Sequence, residues 1–403
     1  MATNSRSNSA LAGAPRTRPR RRWPRILLWS LLLLIILFYG AGGWYFSDQL
    51  GADGFEVRPH QREYRAIVQE VGPETIVISE GDPADGELLD DSLLGLVWEG
   101  GYGTVGAIVD QSATQATREF THLGGGPPSV GTKVDVDPWM YPDDFAAASH
   151  LPIEQVTYRS PVGSMEAVLV RGTTDTWAVV VHGKNAAPRE ALRMAGIMWE
   201  SGISVLAITH RNDRDQPADP SGLHRYGVTE WEDLEGAVNY AVTEGAGEVL
   251  LGGLSTGGAV VMSFLDRSAN ADLISGVVLD APNLDFGATV SHNAARRKLP
   301  LVGLPLPPSL TWVAKELGSL RFGVDWEEID YVAGAERLEV PVLILHGEGD
   351  LSVPIESSRE FARSRPDLVT LVEFEDAKHV QSWNTDPEKY AQSVEAFLER
   401  VLD

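Results

Sequence analysis

The chain has 403 residues, a formal net charge of −24 and no cysteine. That length admits one large domain with a smaller companion, or two to three average ones. The missing cysteine excludes disulfides, thiol catalysis, cysteine-ligated zinc and a lipid-modified cysteine anchor. Seven arginines and no acid fall in the first 25 residues, so the remainder is more acidic still, which argues against nucleic acid as a partner.

Residues 1–25 are polar, small and Arg-rich and read as a disordered cytoplasmic tail. Residues 26–46 carry no charge, and about 20 apolar residues suffice to cross a bilayer as a helix. Trp29, Trp44 and Tyr45 fall near its ends, and the arginines before it set the amino terminus in the cytoplasm, with the bulk of the protein outside the cell. A cleaved export signal, with Ala41-Gly42-Gly43 as a weak cleavage site, is the competing reading, but signal cores run to only ~7–15 residues.

Residues 47–155 contain short apolar runs at 64–71, 75–79, 93–98 and 104–109, which predict a small β-rich domain. Residues 124–128 read as a loop, and 138–142, Pro-Trp-Met-Tyr-Pro, as a connector packed on the domain that follows. From residue 156 to 403, strand and helix patterns alternate, which predicts an α/β fold with a mostly parallel sheet and helices on both faces. A leading hairpin (157–159 and 166–170) is followed by strands at 177–181, 205–209, 249–252, 277–280, 342–346 and 369–374. Helices are expected at 190–201, 230–243, after residue 255, and at 355–363 and 387–401.

The chemistry centres on Gly253-Leu254-Ser255-Thr256-Gly257, between an apolar strand and an apolar helix start. A serine on so sharp a turn needs glycines two residues to either side and presents its hydroxyl above the sheet edge, although the same pentapeptide also occurs as a plain helix-capping turn. Serine is a weak nucleophile without a histidine base and an acid that orients it. Asp350 follows the strand ending at His346, and His379 follows the next strand, so both occupy loops at strand carboxyl ends. Asp280 and Asp285 are rival acids. His182 and His346 adjoin tight glycine turns, His210 and His224 lie in nearby loops, and His60, His122, His150 and His292 fall outside the core strand pattern. Two donors must also meet a developing oxyanion. They are the backbone N–H of Thr256 and that of Lys184, with Asn185 as the alternative to Lys184.

Together, apolar-His182-Gly183, the Ser255 pentapeptide with Gly258, His346-Gly-Glu-Gly-Asp350 and His379 resemble the α/β-hydrolase superfamily over residues 156–403. The pattern is most similar to membrane-tethered bacterial serine hydrolases and to the catalytic domain of the prolyl-oligopeptidase clan. The resemblance implies the chain order Ser255, Asp350, His379 and no metal or organic cofactor. Thr256 stands where that clan often has tyrosine, and the ~100 residues before the core are too few for a propeller. A serine esterase acting on a small-molecule ester or acyl substrate is therefore expected, with a peptidase or amidase, an acyltransferase and a catalytically silent binding module as alternatives. About sixty residues separate residue 280 from residue 341, where ~2–6 would do, so a cap-like insertion is expected over 286–338. Its apolar residues, Leu310 and Trp312 among them, are candidates to line an acyl pocket or to pack a plain helix.

Overall fold

The computed structural model describes residues 23–81, 90–300 and 302–402. Residues 1–22, the bulk of the expected disordered tail, and Leu301 of the insertion lie outside them.

Helix α1 (Trp23–Leu50) is the one helix among the described residues long and apolar enough to cross a membrane. It runs past residue 46 because nothing in Ser47-Asp48-Gln49-Leu50 breaks a helix, and it closes in a π-helical turn, Gly51–Phe55. Every residue from 26 to 38 is exposed, whereas Gly43, Phe46 and Ser47 are buried.

Six strands follow: β1 (Ala66–Val71), β2 (Thr75–Ser79), β3 (Leu94–Trp98), β4 (Gly101–Gln111), β5 (Gln115–Gly125) and β6 (Lys133–Asp137). They close into a barrel in the order β1-β2-β5-β4-β3-β6, with β6 paired back to β1, which leaves no free edge in this unit. Val68, Ile76, Ile78, Leu96 and Val134 fill its interior. Arg118 of β5 is also buried there, and its guanidinium donates to the carbonyls of Ser92 and Gly106 at 2.6 Å.

The barrel is pinned to the rest of the chain by the connector expected at 138–142. Arg189 lies 4.4 Å above the Trp139 ring and donates to Tyr141 O at 2.6 Å, and Asn384 Nδ2 donates to Pro138 O at 2.9 Å. Buried Asp137 accepts from Arg62 at 2.8 Å and Arg189 at 2.6 Å. Burial opposes its charge, but the two guanidinium groups outweigh burial and hold its carboxyl below the usual range.

After α2 (Phe145–Ala148), strands β7 (Ile153–Ser160), β8 (Gly163–Val170), β9 (Thr176–Val181), β10 (Ser204–Ile208), β11 (Glu248–Leu254), β12 (Ile274–Asp280), β13 (Val342–Gly347) and β14 (Val369–Phe374) form one sheet. Its order is β14-β13-β12-β11-β9-β10-β8-β7. The six strands from β10 to β14 by way of β9 run parallel, and β8 and β7 join antiparallel. The central strands are continuous apolar runs, as a sheet covered on both faces requires. Helices α4 (Trp231–Thr243), α5 (Thr256–Arg267) and α8 (Ile355–Ser364) cover one face, and α3 (Leu192–Glu200) and α10 (Pro387–Leu402) the other. The fold is therefore the mostly parallel α/β sheet expected, preceded by a closed barrel.

Between β12 and β13 the chain builds α6 (Phe286–Ala295) and α7 (Pro308–Phe322), while the short α9 (Ser382–Thr385) lies between β14 and α10. The lead-in to α7 doubles back on itself, with Leu299 N–H donating to Leu304 O at 2.7 Å and Leu306 N–H to Arg297 O at 3.0 Å. Helices α1 and α7 pack side by side and run the same way. A Cβ on Gly42 would lie 3.2 Å from Leu310, one on Gly43 2.6 Å from Val313, and one on Gly51 2.4 Å from Phe322. Glycine at 43 is thus what lets the two helices approach so closely.

Candidate active site

Ser255 joins β11 to α5 with φ 53° and ψ −116°, a conformation that costs a non-glycine residue on the order of 1–3 kcal/mol and that its surroundings must enforce. Its own N–H donates to Asp280 O at 2.9 Å and its carbonyl accepts from Gly258 N–H at 3.0 Å. A Cβ on Gly257 would fall 2.2 Å from Val181 O, so only glycine permits this turn beside β9.

The Ser255 Oγ–H faces His379 Nε2 at 2.8 Å, and His379 Nδ1–H donates to Asp350 Oδ2 at 2.6 Å. Asp350 Oδ1 accepts the N–H groups of Ser352 at 2.7 Å and Val353 at 2.9 Å. His346 Nε2 stands 3.2 Å from Asp350 Oδ2. Burial opposes the charge of Asp350, but hydrogen bonds from His346, His379 and Val353 outweigh it and keep this carboxyl well below the ordinary range. Burial likewise opposes protonation of His379, and the Asp350 carboxylate more than compensates, so the imidazole is raised above its ordinary value. A carboxylate that stays ionised beside an imidazole of raised basicity suits proton transfer from a hydroxyl.

The rival acids are otherwise engaged. Asp285 Oδ1 caps α6 through Ala288 N–H at 2.8 Å. Asp280 is buried at the end of β12 beside Tyr390, and burial pushes its carboxyl up to about 6 against the pull of Arg193 and His346.

Lys184 and Thr256 reach the same cavity as Ser255 and His379. Gly183 N–H donates to Glu190 Oε2 at 2.7 Å, and Gly183 O accepts from His182 Nδ1 at 2.8 Å. In a trans peptide the Lys184 N–H points opposite to that held carbonyl. The lysine ammonium donates to the carbonyls of Asp53 and, at 3.3 Å, Gly54; burial lowers it to about 8. Asn185, the alternative donor, is tied to the segment after α1, where its Oδ1 accepts from Arg58 N–H and from His224 Nε2, both at 2.8 Å.

His182, His210 and Asp213 place ligand-type atoms within 4.8 Å of one another. Both nitrogens of His182 face oxygen acceptors, Gly183 O and Asp213 Oδ2, each at 2.8 Å. Both therefore carry protons and offer no lone pair to a cation. Burial opposes that charge and Asp213 restores it, raising the imidazole above its ordinary value. The cluster is a buried brace beneath the loop that carries Lys184.

Above Ser255 lies a cavity of about 430 Å³. Its sheet-side wall includes Lys184, Thr256 and His379; its opposite wall comes from Val290 and Ala294 of α6, Leu306 and Ala314 at α7, and Phe46 and Leu50 of α1. Sequence reasoning missed the contribution of α1, because an uncharged 21-residue stretch looks like a membrane span whatever its far end touches. Gly42-Gly43, so close to a bulky Trp-Tyr-Phe, was the available signal of close helix packing. The part of His346 was missed too, since a histidine in a Gly-rich turn carries no mark of the carboxylate it will meet. Leu310 is buried beside Gly42 and Trp312 is 62 % exposed, so neither belongs to the wall facing Ser255.

No family model matches the chain. It is similar to the uncharacterised protein YqkD of Bacillus subtilis strain 168, 22 % identical over 232 residues, which are 57 % of this chain and 73 % of that protein. Among solved structures, the Pyrococcus furiosus esterase Pf2001 superposes in two crystal forms with TM-scores of 0.51 and 0.52, each at 18 % identity. The match takes in 69 % of this chain and 100 % or 98 % of the esterase. Together with the strand order above, this likeness shows the α/β-hydrolase fold.

Proposed function

We propose that the protein is a membrane-anchored serine esterase. The observation that carries this reading is the unbroken hydrogen-bonded path from Ser255 Oγ through His379 to Asp350, at the floor of a cavity whose opposite wall carries the apolar side chains of Phe46, Leu50, Val290, Ala294, Leu306 and Ala314. In the first half-reaction Ser255 Oγ attacks the ester carbonyl carbon and its proton passes to His379 Nε2. The C–O bond to the alcohol then breaks, and the alcohol leaves with that proton. In the second half water attacks the acyl-enzyme, gives a proton to the same nitrogen, and frees the acid and Ser255. Asp350 orients the imidazole and balances its charge, and the N–H groups of Thr256 and Lys184 meet the oxyanion of each tetrahedral intermediate.

The span is residues 26–46, with the arginines on the cytoplasmic side and the catalytic domain outside. An uncleaved anchor is favoured by the burial of Gly43 against α7, which puts the alternative cleavage site inside a packed helix. A fluorophosphonate probe should label the wild type and fail to label Ser255→Ala. External protease on intact cells should digest the domain beyond α1. Turnover that survives Ser255→Ala rules the mechanism out, and a catalytic domain protected from protease reverses the topology.

A further inference from the structure

We propose that the ester this site takes is a fatty acyl ester dissolved in the membrane, which enters the cavity sideways from the bilayer between α1 and the lead-in to α7; this rests on the esterase reading above. The first observation is a length. Residues 26–38 are exposed throughout and, at 1.5 Å per residue, cover about 20 Å, whereas a bilayer core is about 30 Å thick. The missing ~10 Å must come from the next two turns of α1.

Those turns are the ones already joined to the cap. Tyr39 Oη lies 2.8 Å from Ser309 Oγ at the start of α7, and Gly42 abuts Leu310. Seating the whole apolar stretch in the membrane therefore brings the lead-in and the first turn of α7 into the near leaflet. Their outward side chains suit that depth. Val302 is 62 % exposed, Leu304 61 % and Trp312 62 %, three large apolar side chains left open on this short stretch of chain.

The second observation is the thickness of the wall. Phe46 faces the cavity while neighbouring Tyr45 is exposed; Leu306 faces it while Leu304 is exposed; Thr311 faces it while Trp312 is exposed. The wall between the space above Ser255 and the surface that would meet lipid is thus one helix, or one pass of the lead-in, thick. An acyl chain crossing this wall stays in apolar surroundings throughout, and it avoids the cost of carrying each methylene through water, about 0.8 kcal/mol.

The test uses the full-length protein in egg phosphatidylcholine vesicles and two esters with one leaving group. These are 4-methylumbelliferyl butyrate, supplied from water, and 4-methylumbelliferyl palmitate, dissolved in the vesicles. Val302→Asp/Leu304→Asp lies outside the cavity and should leave butyrate turnover and fluorophosphonate labelling unchanged. It should lower palmitate turnover at least about tenfold, the factor that corresponds to ~1.4 kcal/mol. Trp312→Asp provides an independent variant and should act in the same direction. Equal loss on both esters in both variants, or no loss on palmitate, overturns lateral entry. If the wild type is neither labelled nor active on butyrate, it is the esterase reading that fails.

Discussion

On the sheet side of the cavity, Ser255, Lys184 and His379 sit on strand-end loops braced by buried polar groups, with His182 on the Gly183 carbonyl, Glu190 on the Gly183 N–H and His346 on Asp350. On the helical side, Phe46, Leu306 and Ala314 are held by apolar contact among α1, α6 and α7 and by ion pairs open to water, such as Arg297 with Asp53 and Arg321 with Asp48. Buried hydrogen bonds fix direction, because a rotated or unpaired partner costs about 1–3 kcal/mol. Apolar contacts fix volume and tolerate sliding. One wall is therefore suited to hold reacting atoms in register, and the other to accept chains of different length.

The sharpest way to break this contrast is at Asp350. Asp350→Asn should lower kcat by on the order of 10⁴, the loss seen when a triad acid is neutralised, while Asp280→Asn should leave turnover within a few-fold. The opposite pattern would move the acid to β12. The same variant tests the electrostatics. His379 accepts the serine proton only when neutral, and its raised basicity puts the acid limb of kcat/KM for a soluble ester above the ordinary imidazole value of 6.5. Activity should fall as pH drops through that limb, and Asp350→Asn should shift the limb to lower pH. A limb at or below 6.5 in the wild type removes the coupling.

A milder break is expected on the helical side. Leu310 is fully buried where α7 meets Gly42, and Leu310→Ala should cost about 2–5 kcal/mol of stability by leaving a cavity. Because Leu310 backs Phe46, Leu306 and Ala314, which do line the cavity, the loss should also let that wall give way and shift the preferred acyl chain toward greater length without affecting fluorophosphonate labelling. A series of p-nitrophenyl esters measures both the optimum and the chemistry, and an unchanged profile in a folded variant would assign this seam to packing alone. The smallest effect belongs to Arg297→Ala. Its pair with Asp53 is 40 % and 52 % exposed, a class worth about 0–1 kcal/mol, so the thermal midpoint should stay close to wild type.

The two walls were also unequally legible in the sequence. The sheet side announces itself: β9 and β13 are continuous apolar runs, Lys184, Ser255 and Asp350 follow strands in turns marked by glycine, and His379 follows β14. The helical side depends on contacts between segments some 270 residues apart, such as Tyr39 with Ser309, for which no local pattern exists. In the barrel, β5 escaped notice because its buried positions include Ala116 and Arg118, so the period-two signal of an apolar strand is absent. The position of Trp312 went wrong for a related reason. Hydrophobicity says that a residue leaves water, not whether it does so toward the cavity or outward.

The carbonyls of Asp53 and Gly54 that receive the Lys184 ammonium bear on where this chain can be cut. Trimming a tethered protein just after its apolar stretch is the usual route to a soluble fragment. Here a chain beginning at residue 56 would lack Phe46, Gln49, Leu50, Asp53 and Gly54, all of which border the space above Ser255. The lysine would also lose both of its acceptors, one residue beyond the glycine whose carbonyl sets the direction of its N–H. Such a fragment would keep its sheet and the Ser255–His379–Asp350 hydrogen bonds, yet it would open the cavity to water along one side. A cut ahead of Tyr39 retains the wall, at the expense of carrying Trp44, Tyr45 and the outer face of α7 into solution. The apolar helix and the wall of the cavity thus overlap by about four helical turns, from residue 39 to residue 54, and no boundary drawn inside that overlap separates them cleanly.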